Sequence, residues 1–423
     1  MISDRFELLP GVWLNLVQTN RFKTGCFSFN LLRPLAQADA ASNALLPSVL
    51  LRGCKSTPDM QAISQRLDTL YGASVGTLIR KKGEVQSVGL YADFLEDRYA
   101  DGEPVFAQMM EFLRELIFEP CLADGGFLPD YVDGERRNLV NTIDARINDK
   151  RSYAVGRLLK AMCAGEAYAT PRLGEKEPLA AEDGRSLYAR WQDLLATSRI
   201  ELFYLGQQSR ETVVDALTRM LAPLPRAESQ RPVPTRALLP QRSVQTVQEA
   251  LDVTQGKLTL GLRTPVTIHD ARYPAMMLLD AVYGAGMTSK LFLKIREEQS
   301  LCYYANASMD KFKGIMLVEA GIEVSDYQVA LDGILEQLDC CKRGEITSQE
   351  LESARTYLLS ALRTGQDSPG RLAEYAIGQS IAGMTGTMDD LAAQLRSVTL
   401  DQVVEAAGTL TLDTIYFLKG VEA

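Results

Sequence analysis

Tyr283-Gly-Ala-Gly-Met-Thr-Ser-Lys-Leu-Phe-Leu-Lys-Ile-Arg-Glu-Glu-Gln-Ser-Leu-Cys-Tyr-Tyr-Ala-Asn-Ala-Ser308 is a turn, a helix and a strand in close succession. Gly284-Ala-Gly286 follows a helical run rather than a strand and lacks the rest of any dinucleotide- or phosphate-binding pattern, so it reads as a helix-to-helix turn. Ser289 to Glu298 has a helical period, and Leu301 to Ser308 alternates as a strand. Asp310 to Gly314 then turns the chain into a second strand, Ile315 to Ile322, which makes a hairpin. A helix with Val329, Leu331, Ile334 and Leu338 on one side comes next, followed by a long helix from Ser348 through Leu362. The series closes on Thr414-Ile-Tyr-Phe-Leu-Lys-Gly420.

The same series occurs earlier in the chain. Met60, Ile63, Leu67 and Leu70 mark a helix stopped by Gly72, and a hairpin pairs Ser74–Arg80 with Val85–Ala92. An amphipathic helix carries Val105, Phe106, Met109, Phe112, Leu113 and Leu116, and a long helix runs from Asp130 through Arg146. Ile200 to Gly206 closes the series. Between the two copies lies Leu221 to Pro240, rich in proline and without helical period, which reads as an extended linker. The expected organisation is therefore a duplication: an N-terminal domain over 1–220, a linker over 221–242 and a C-terminal domain over 243–423. Hairpins mixed with long helices predict an α+β fold, each half a mixed or antiparallel sheet covered by helices on one face.

Composition narrows the chemistry. The 423 residues carry 45 basic and 54 acidic side chains, a net charge of −9, which provides no footprint for nucleic acid or anionic lipid. There is a single histidine, His269, so a zinc site with two imidazoles is out of reach of this chain. His269-Asp270 reads as a loop and cap before the helix near Pro274. The seven cysteines are scattered without CxxC spacing and read as reduced thiols; Cys302, with no histidine to activate it, reads as a packing residue. The amino terminus has neither the basic region nor the apolar run of a signal peptide, and no stretch is long enough for a membrane span. The expectation is a cytoplasmic protein with no membrane or nucleic-acid partner.

The stretch 283–308, with Gly314 beyond the turn, resembles the carboxy-terminal half of the pitrilysin/insulinase family, which includes the mitochondrial processing peptidases. The resemblance covers nearly the whole chain and implies the processing-peptidase-like fold of two homologous halves. Phe22-Lys-Thr, Ala44-Leu-Leu-Pro, Leu67-Asp-Thr-Leu-Tyr-Gly-Ala-Ser and Lys81-Lys-Gly-Glu resemble the non-catalytic member of a pair of such proteins. That pair is linked in Gram-positive bacteria to 5-aminopentanol modification of elongation factor P. The family's zinc motif is His-x-x-Glu-His with a further Glu downstream: two imidazoles a turn apart hold the metal while the carboxylate takes a proton from its water. In the family a basic-Gly-Thr segment follows the motif, and Arg52-Gly53-Cys54 matches it. The motif positions then fall on Ala44, Pro47 and Ser48. The downstream ligand, seven residues after Glu135, falls on Thr142. All four are lost, so the resemblance implies a chain with no metal, no cofactor and no peptidase activity of its own.

A second family feature is retained, an Arg followed seven residues later by a Tyr, here Arg296 and Tyr303. In the family the Arg holds a substrate carbonyl and the Tyr hydroxyl donates to the oxyanion. By residue type alone the two are a solvated charge and a core aromatic on the face of Leu301 and Ala305, with Tyr304 on the other face. The resemblance implies a subunit that brings Arg296 and Tyr303 to a zinc-bearing paralogue acting on a peptide or protein substrate. A binding scaffold without proteolysis is the alternative.

Overall fold

A computed structural model of the chain describes residues 2–227 and 235–420. Part of the expected linker, 228–234, lies outside the described residues.

The chain folds into two compact units, the first comprising Met1–Asp144, Thr170–Val233 and Pro369–Ile381. Its strands are β1 (Ile2–Leu9), β2 (Val12–Gln18), β3 (Thr24–Pro34), β4 (Ser74–Lys82), β5 (Val85–Leu95), the two-residue pair β6 (Leu122–Ala123) and β7 (Gly126–Phe127), and β8 (Arg199–Gly206). Its helices are α1 (Ala40–Leu50), α2 (Met60–Thr69), α3 (Val105–Phe118), α4 (Pro129–Asp144), α6 (Gly184–Thr197), α7 (Arg210–Met220) and α11 (Pro369–Ala382). The main sheet has the order β1-β2-β8-β3-β5-β4. Strand alternation buries Leu14, Leu16, Phe27, Phe29, Val88, Leu90 and Leu202 on one face. There they meet Leu45 and Leu46 of α1, Phe106, Met109 and Leu113 of α3 and Trp191 of α6.

The second unit comprises Ala145–Ala169, Pro234–Ser368 and Ala382–Ala423. It holds α5 (Lys150–Met162), β9 (Gln245–Leu251), β10 (Gly256–Arg263), α8 (Tyr273–Tyr283), a π-helical segment Leu291–Glu298, β11 (Cys302–Asp310) and β12 (Ile315–Ile322). It continues with α9 (Tyr327–Lys342), α10 (Ser348–Gly365), α12 (Met388–Ser397), α13 (Leu400–Gly408) and β13 (Thr411–Gly420). The sheet order is β11-β12-β10-β13-β9.

The duplication is visible strand by strand. In the first sheet β2 runs parallel to β8, which is antiparallel to β3, then β5, then β4. In the second, β9 runs parallel to β13, which is antiparallel to β10, then β12, then β11. β1 is an addition to the first copy.

The compact units do not follow a contiguous cut at the linker, because α5, encoded in the first half, packs on the second sheet, and α11, encoded in the second half, packs on the first. Each sheet is therefore covered by several helices on its apolar face and crossed by one exchanged helix on the other. Leu158 of α5 packs with Tyr416 and Leu418, and a Cβ on Gly261 would come within 2.4 Å of the Met162 sulfur, so the strand must be bare there. On the first sheet the exchanged helix meets a polar face. The buried Glu201 carboxylate accepts from Asn15 Nδ2 at 3.0 Å, Arg5 Nη2 at 2.9 Å, Arg199 Nε at 2.9 Å and the Ser380 hydroxyl of α11 at 2.6 Å.

Candidate functional site

The positions expected for the zinc motif, Ala44, Pro47 and Ser48, lie on α1. Ala44 and Pro47 are buried, Ser48 is half-buried, and the helix packs against β5, α4 and α6. Pro47 stands inside the helix, where it has neither a carboxylate nor a backbone N–H. Thr142, at the end of α4, is exposed and spends its hydroxyl on the Asn138 carbonyl at 2.8 Å. A methyl group, a pyrrolidine ring and two hydroxyls do not make a zinc site. Among the described residues no group of three or more His, Cys, Asp or Glu is placed to hold a metal. The residues present do not fit the zinc that the fold family implies.

The side chains around this position are tied to one another instead. Arg52 pairs with Glu135 of α4 at 3.2 Å and its guanidinium lies 5.4 Å from the ring centre of Tyr131. Asn138 Nδ2 donates to the other Glu135 oxygen at 3.2 Å. The Glu135 side chain is only 14% exposed, so it is a paired acid and not a solvated one. Tyr131 donates its hydroxyl to the Pro58 carbonyl, and that same carbonyl would lie 2.4 Å from a Cβ on Gly53, which explains the glycine of the Arg-Gly segment. Sequence reading marked Arg52 and Glu135 separately; their pairing across α1 and α4 had no local signal.

Arg296 and Tyr303 lie in the second unit. Arg296 sits on the π-helical segment, half-exposed, with its guanidinium 4.7 Å from the Phe292 ring centre and 3.7 Å from Glu297. A wide π turn inside a helical run is uncommon and tends to occur at functional positions. Ser300, at φ 53°, makes the sharp turn from this segment into β11.

Tyr303 is not a core aromatic. Cys302 faces Ile322 and Tyr304 faces Gly321, which leaves Tyr303 as the extra residue of a β-bulge. The bulge corrects the expected alternation, since Cys302, Ala305 and Ala307 take the buried side. Tyr303 is 55% exposed and donates its hydroxyl to Glu323 Oε1 at 2.5 Å. That carboxylate holds the phenol protonated, above its ordinary range. Tyr304 is held elsewhere, with Arg151 stacked 4.4 Å from its ring centre. Between the pair, the buried Cys302 thiol is pushed up to about 11 by desolvation, with the Arg296 charge a smaller opposing effect. It is a packing residue without nucleophilic character. Arg296, on the π-helical segment, and Tyr303, at the start of β11, both reach solvent, each engaged locally.

His269 is exposed in the loop ahead of α8, where Asp270 accepts from the Arg272 N–H at 2.9 Å; the N-cap position is Arg272 and carries no side-chain cap, so the loop is as expected and the cap is not. Gly284 ends α8, and a Cβ there would lie 2.4 Å from the Ala307 nitrogen, so the glycine serves a close approach and not a nucleotide. The seven cysteines are all free. Among the described residues no helix is long and apolar enough to cross a membrane.

Two sheets repeat one strand order, and α1, where a zinc motif was expected, carries no His, Cys, Asp or Glu. Residues 184–358 match the family described as Peptidase M16 inactive domain. The chain is 31% identical over 97% of its length, and 96% of the relative's, to the "Probable inactive metalloprotease YmfF" of Bacillus subtilis. It is 25% identical over 67% of its length, and 69% of the relative's, to the "Uncharacterized zinc protease YmxG" of the same organism. The crystal structure of a conserved protein from Enterococcus faecalis superimposes with a TM-score of 0.91 at 28% identity, covering 99% of both chains. The chain belongs to the M16 peptidase family.

Proposed function

We infer that this chain is the zinc-free subunit of a two-chain M16 peptidase. It pairs with a zinc-bearing paralogue, helps to enclose a peptide chamber and supplies Arg296 and Tyr303 to the partner's site. The observation that carries the reading is the asymmetry of what survives. All four zinc-site positions, Ala44, Pro47, Ser48 and Thr142, have lost their chemistry, whereas Arg296 and Tyr303 stand on a π turn and a bulge that present them to solvent. Support also comes from relatives in one organism, one named inactive and one named a zinc protease. In this reading the partner brings metal, water and general base, Arg296 orients a substrate carbonyl, and Tyr303 exchanges Glu323 for the developing oxyanion.

One observation favours a second reading. Tyr303 is committed to Glu323 and Arg296 lies over Phe292, so both side chains are satisfied without a substrate. A scaffold that binds a peptide, or a protein such as elongation factor P, without cleavage would need no more.

The test is peptide hydrolysis by the zinc-bearing paralogue titrated with this chain. Wild type is expected to activate saturably, and Tyr303→Phe to lower the rate about 100- to 1000-fold with binding retained. Arg296→Ala is expected to raise KM as well as lower kcat. Equal rates with wild type and Tyr303→Phe would overturn the composite site in favour of the scaffold.

A further inference from the structure

The face of the first sheet beneath α11 is built unlike a protein core. The cross-strand register places Arg80, Asp93, Tyr91, Asn30, Asn15 and Arg5 on that side. The helix is held to it by polar contacts: Ser380 on Glu201, and Glu374 on Lys82 at 2.8 Å and on Arg80. Between sheet and helix lies a cavity of about 430 Å³, with Phe203 and Leu78 on its sheet side and Ala373 and Ile377 on its helix side.

Its two acids are not equivalent. Glu374 is neutralised by Arg80 and Lys82. Asp93, exposed to the cavity, has no hydrogen bond and no ion pair among the described residues. Its cross-strand partner is Ser74, six residues along β4 from Arg80, which sets the two backbone positions about 20 Å apart along the strand. Arg80 pairs with Glu374 and not with Asp93. The effect reaches Cys26, the neighbour of Asp93 on β3, whose thiol is pushed up to about 12 by burial and by the Asp93 and Glu96 charges. Burial also raises the Asp93 carboxyl.

We propose that this groove is a binding site for a primary ammonium ion carried on an apolar body, with the ammonium on Asp93 and the body between Phe203 and Ile377. A free amine and the amino terminus of a peptide share this chemistry. An anion would meet the unpaired carboxylate, and a purely apolar ligand would bury it without a partner. A metal ion would require further carboxylate or imidazole ligands, and none is grouped with Asp93 among the described residues. An ammonium satisfies the acid, and the apolar walls select what it is attached to. The site is independent of Arg296 and Tyr303 and shares with the preceding reading only that this chain handles peptides.

Calorimetric titration of the full chain, without any zinc-bearing partner, tests it with 2-phenylethylamine, Leu-Phe-amide and the N-acetyl form of each. The free amines are expected to bind about 10- to 100-fold more tightly than the acetylated forms. Asp93→Asn should reduce each amine to the level of its acetylated form while leaving thermal unfolding cooperative, and acidification that protonates Asp93 should do the same in wild type. Binding by the peptide amide alone assigns the amino terminus as the natural ligand; binding by 2-phenylethylamine alone assigns a free amine. Equal affinity for amine and acetylated probes, an amine preference that survives Asp93→Asn, or no binding at millimolar probe overturns the site. The titration uses no zinc-bearing partner and its decisive variant is Asp93→Asn, so failure of the composite peptidase and failure of this groove are separate results.

Discussion

Glu96 shows how one side chain sets a pH dependence. It ends β5, is 1% exposed, and accepts the Gln207 N–H at 3.0 Å through Oε1, while its Oε2 has no partner among the described residues. Burial first, and the Asp97 charge after it, raise its pKa from 4.5 to about 7 against the pull of the Gln207 hydrogen bond. Between these values the folded chain holds a proton that the unfolded chain has lost, so stability is present below pH 4.5 and is lost as pH rises to about 7. Glu96→Gln should therefore be more stable than wild type at pH of about 8, by about 1–3 kcal/mol, with no gain below the carboxylate range. Urea midpoints at both pH values measure this, and parallel profiles would refute the burial account. Asp280, whose buried Oδ1 has no partner among the described residues, is raised to about 7 by burial and loses stability in the same direction.

At the scale of elements, the polar attachment of α11 contrasts with the apolar packing of α1. Glu201 is fully buried, and Arg5 and Arg199 depend on it for their counter-charge. Glu201→Ala leaves two guanidiniums and Asn15 without that acceptor and should cost about 3–5 kcal/mol by chemical denaturation. Ser380→Ala removes one hydrogen bond to the same carboxylate and should cost about 1–3 kcal/mol, with amide exchange in α11 accelerated more than elsewhere. The helix that holds the expected zinc-motif positions is closed in the other way. Ala44 is 1% exposed, so restoring histidine there inserts an imidazole into packed core. The variant Ala44→His, Pro47→Glu, Ser48→His, Thr142→Glu should be less stable than wild type and should purify without stoichiometric zinc. Metal analysis checks this, and one zinc per chain would show that only the ligands had been lost.

At the scale of the whole molecule, the exchanged helices make each half of the sequence depend on the other. A fragment ending within 228–234 keeps α5 but lacks the helix that crosses its own sheet, and the remaining fragment keeps α11 but lacks the cover of Gly261 and Tyr416. Expressed singly, the fragments should show broad, weakly cooperative unfolding; co-expressed, they should co-purify and unfold as the intact chain does. Two independently cooperative fragments would refute the exchange.

Much of this was legible in the sequence, for a definite reason. Periodicity and turn residues are local, so the hairpins appeared within a few residues of their ends, Ser74–Lys82 with Val85–Leu95 and Cys302–Asp310 with Ile315–Ile322. The absence of zinc ligands is a matter of residue identity and needs no coordinates. Three features of the candidate sites were not legible. The bulge at Tyr303 exists only against a partner strand with one residue fewer, and without it alternation assigns Tyr303 to the wrong side. The Arg52–Glu135 pair joins residues on two helices whose packing no local pattern announces. The groove at Asp93 forms because α11, far along the chain, crosses a face whose polar residues read singly as ordinary strand positions. The sequence by itself determined the duplicated α+β fold and the residues that stand at the expected zinc-motif positions, because local spacing and residue identity are enough for both. Tertiary structure alone decided which helix covers which sheet, which side Tyr303 takes and where an acid is left unpaired, because each depends on residues that meet only after the chain has folded.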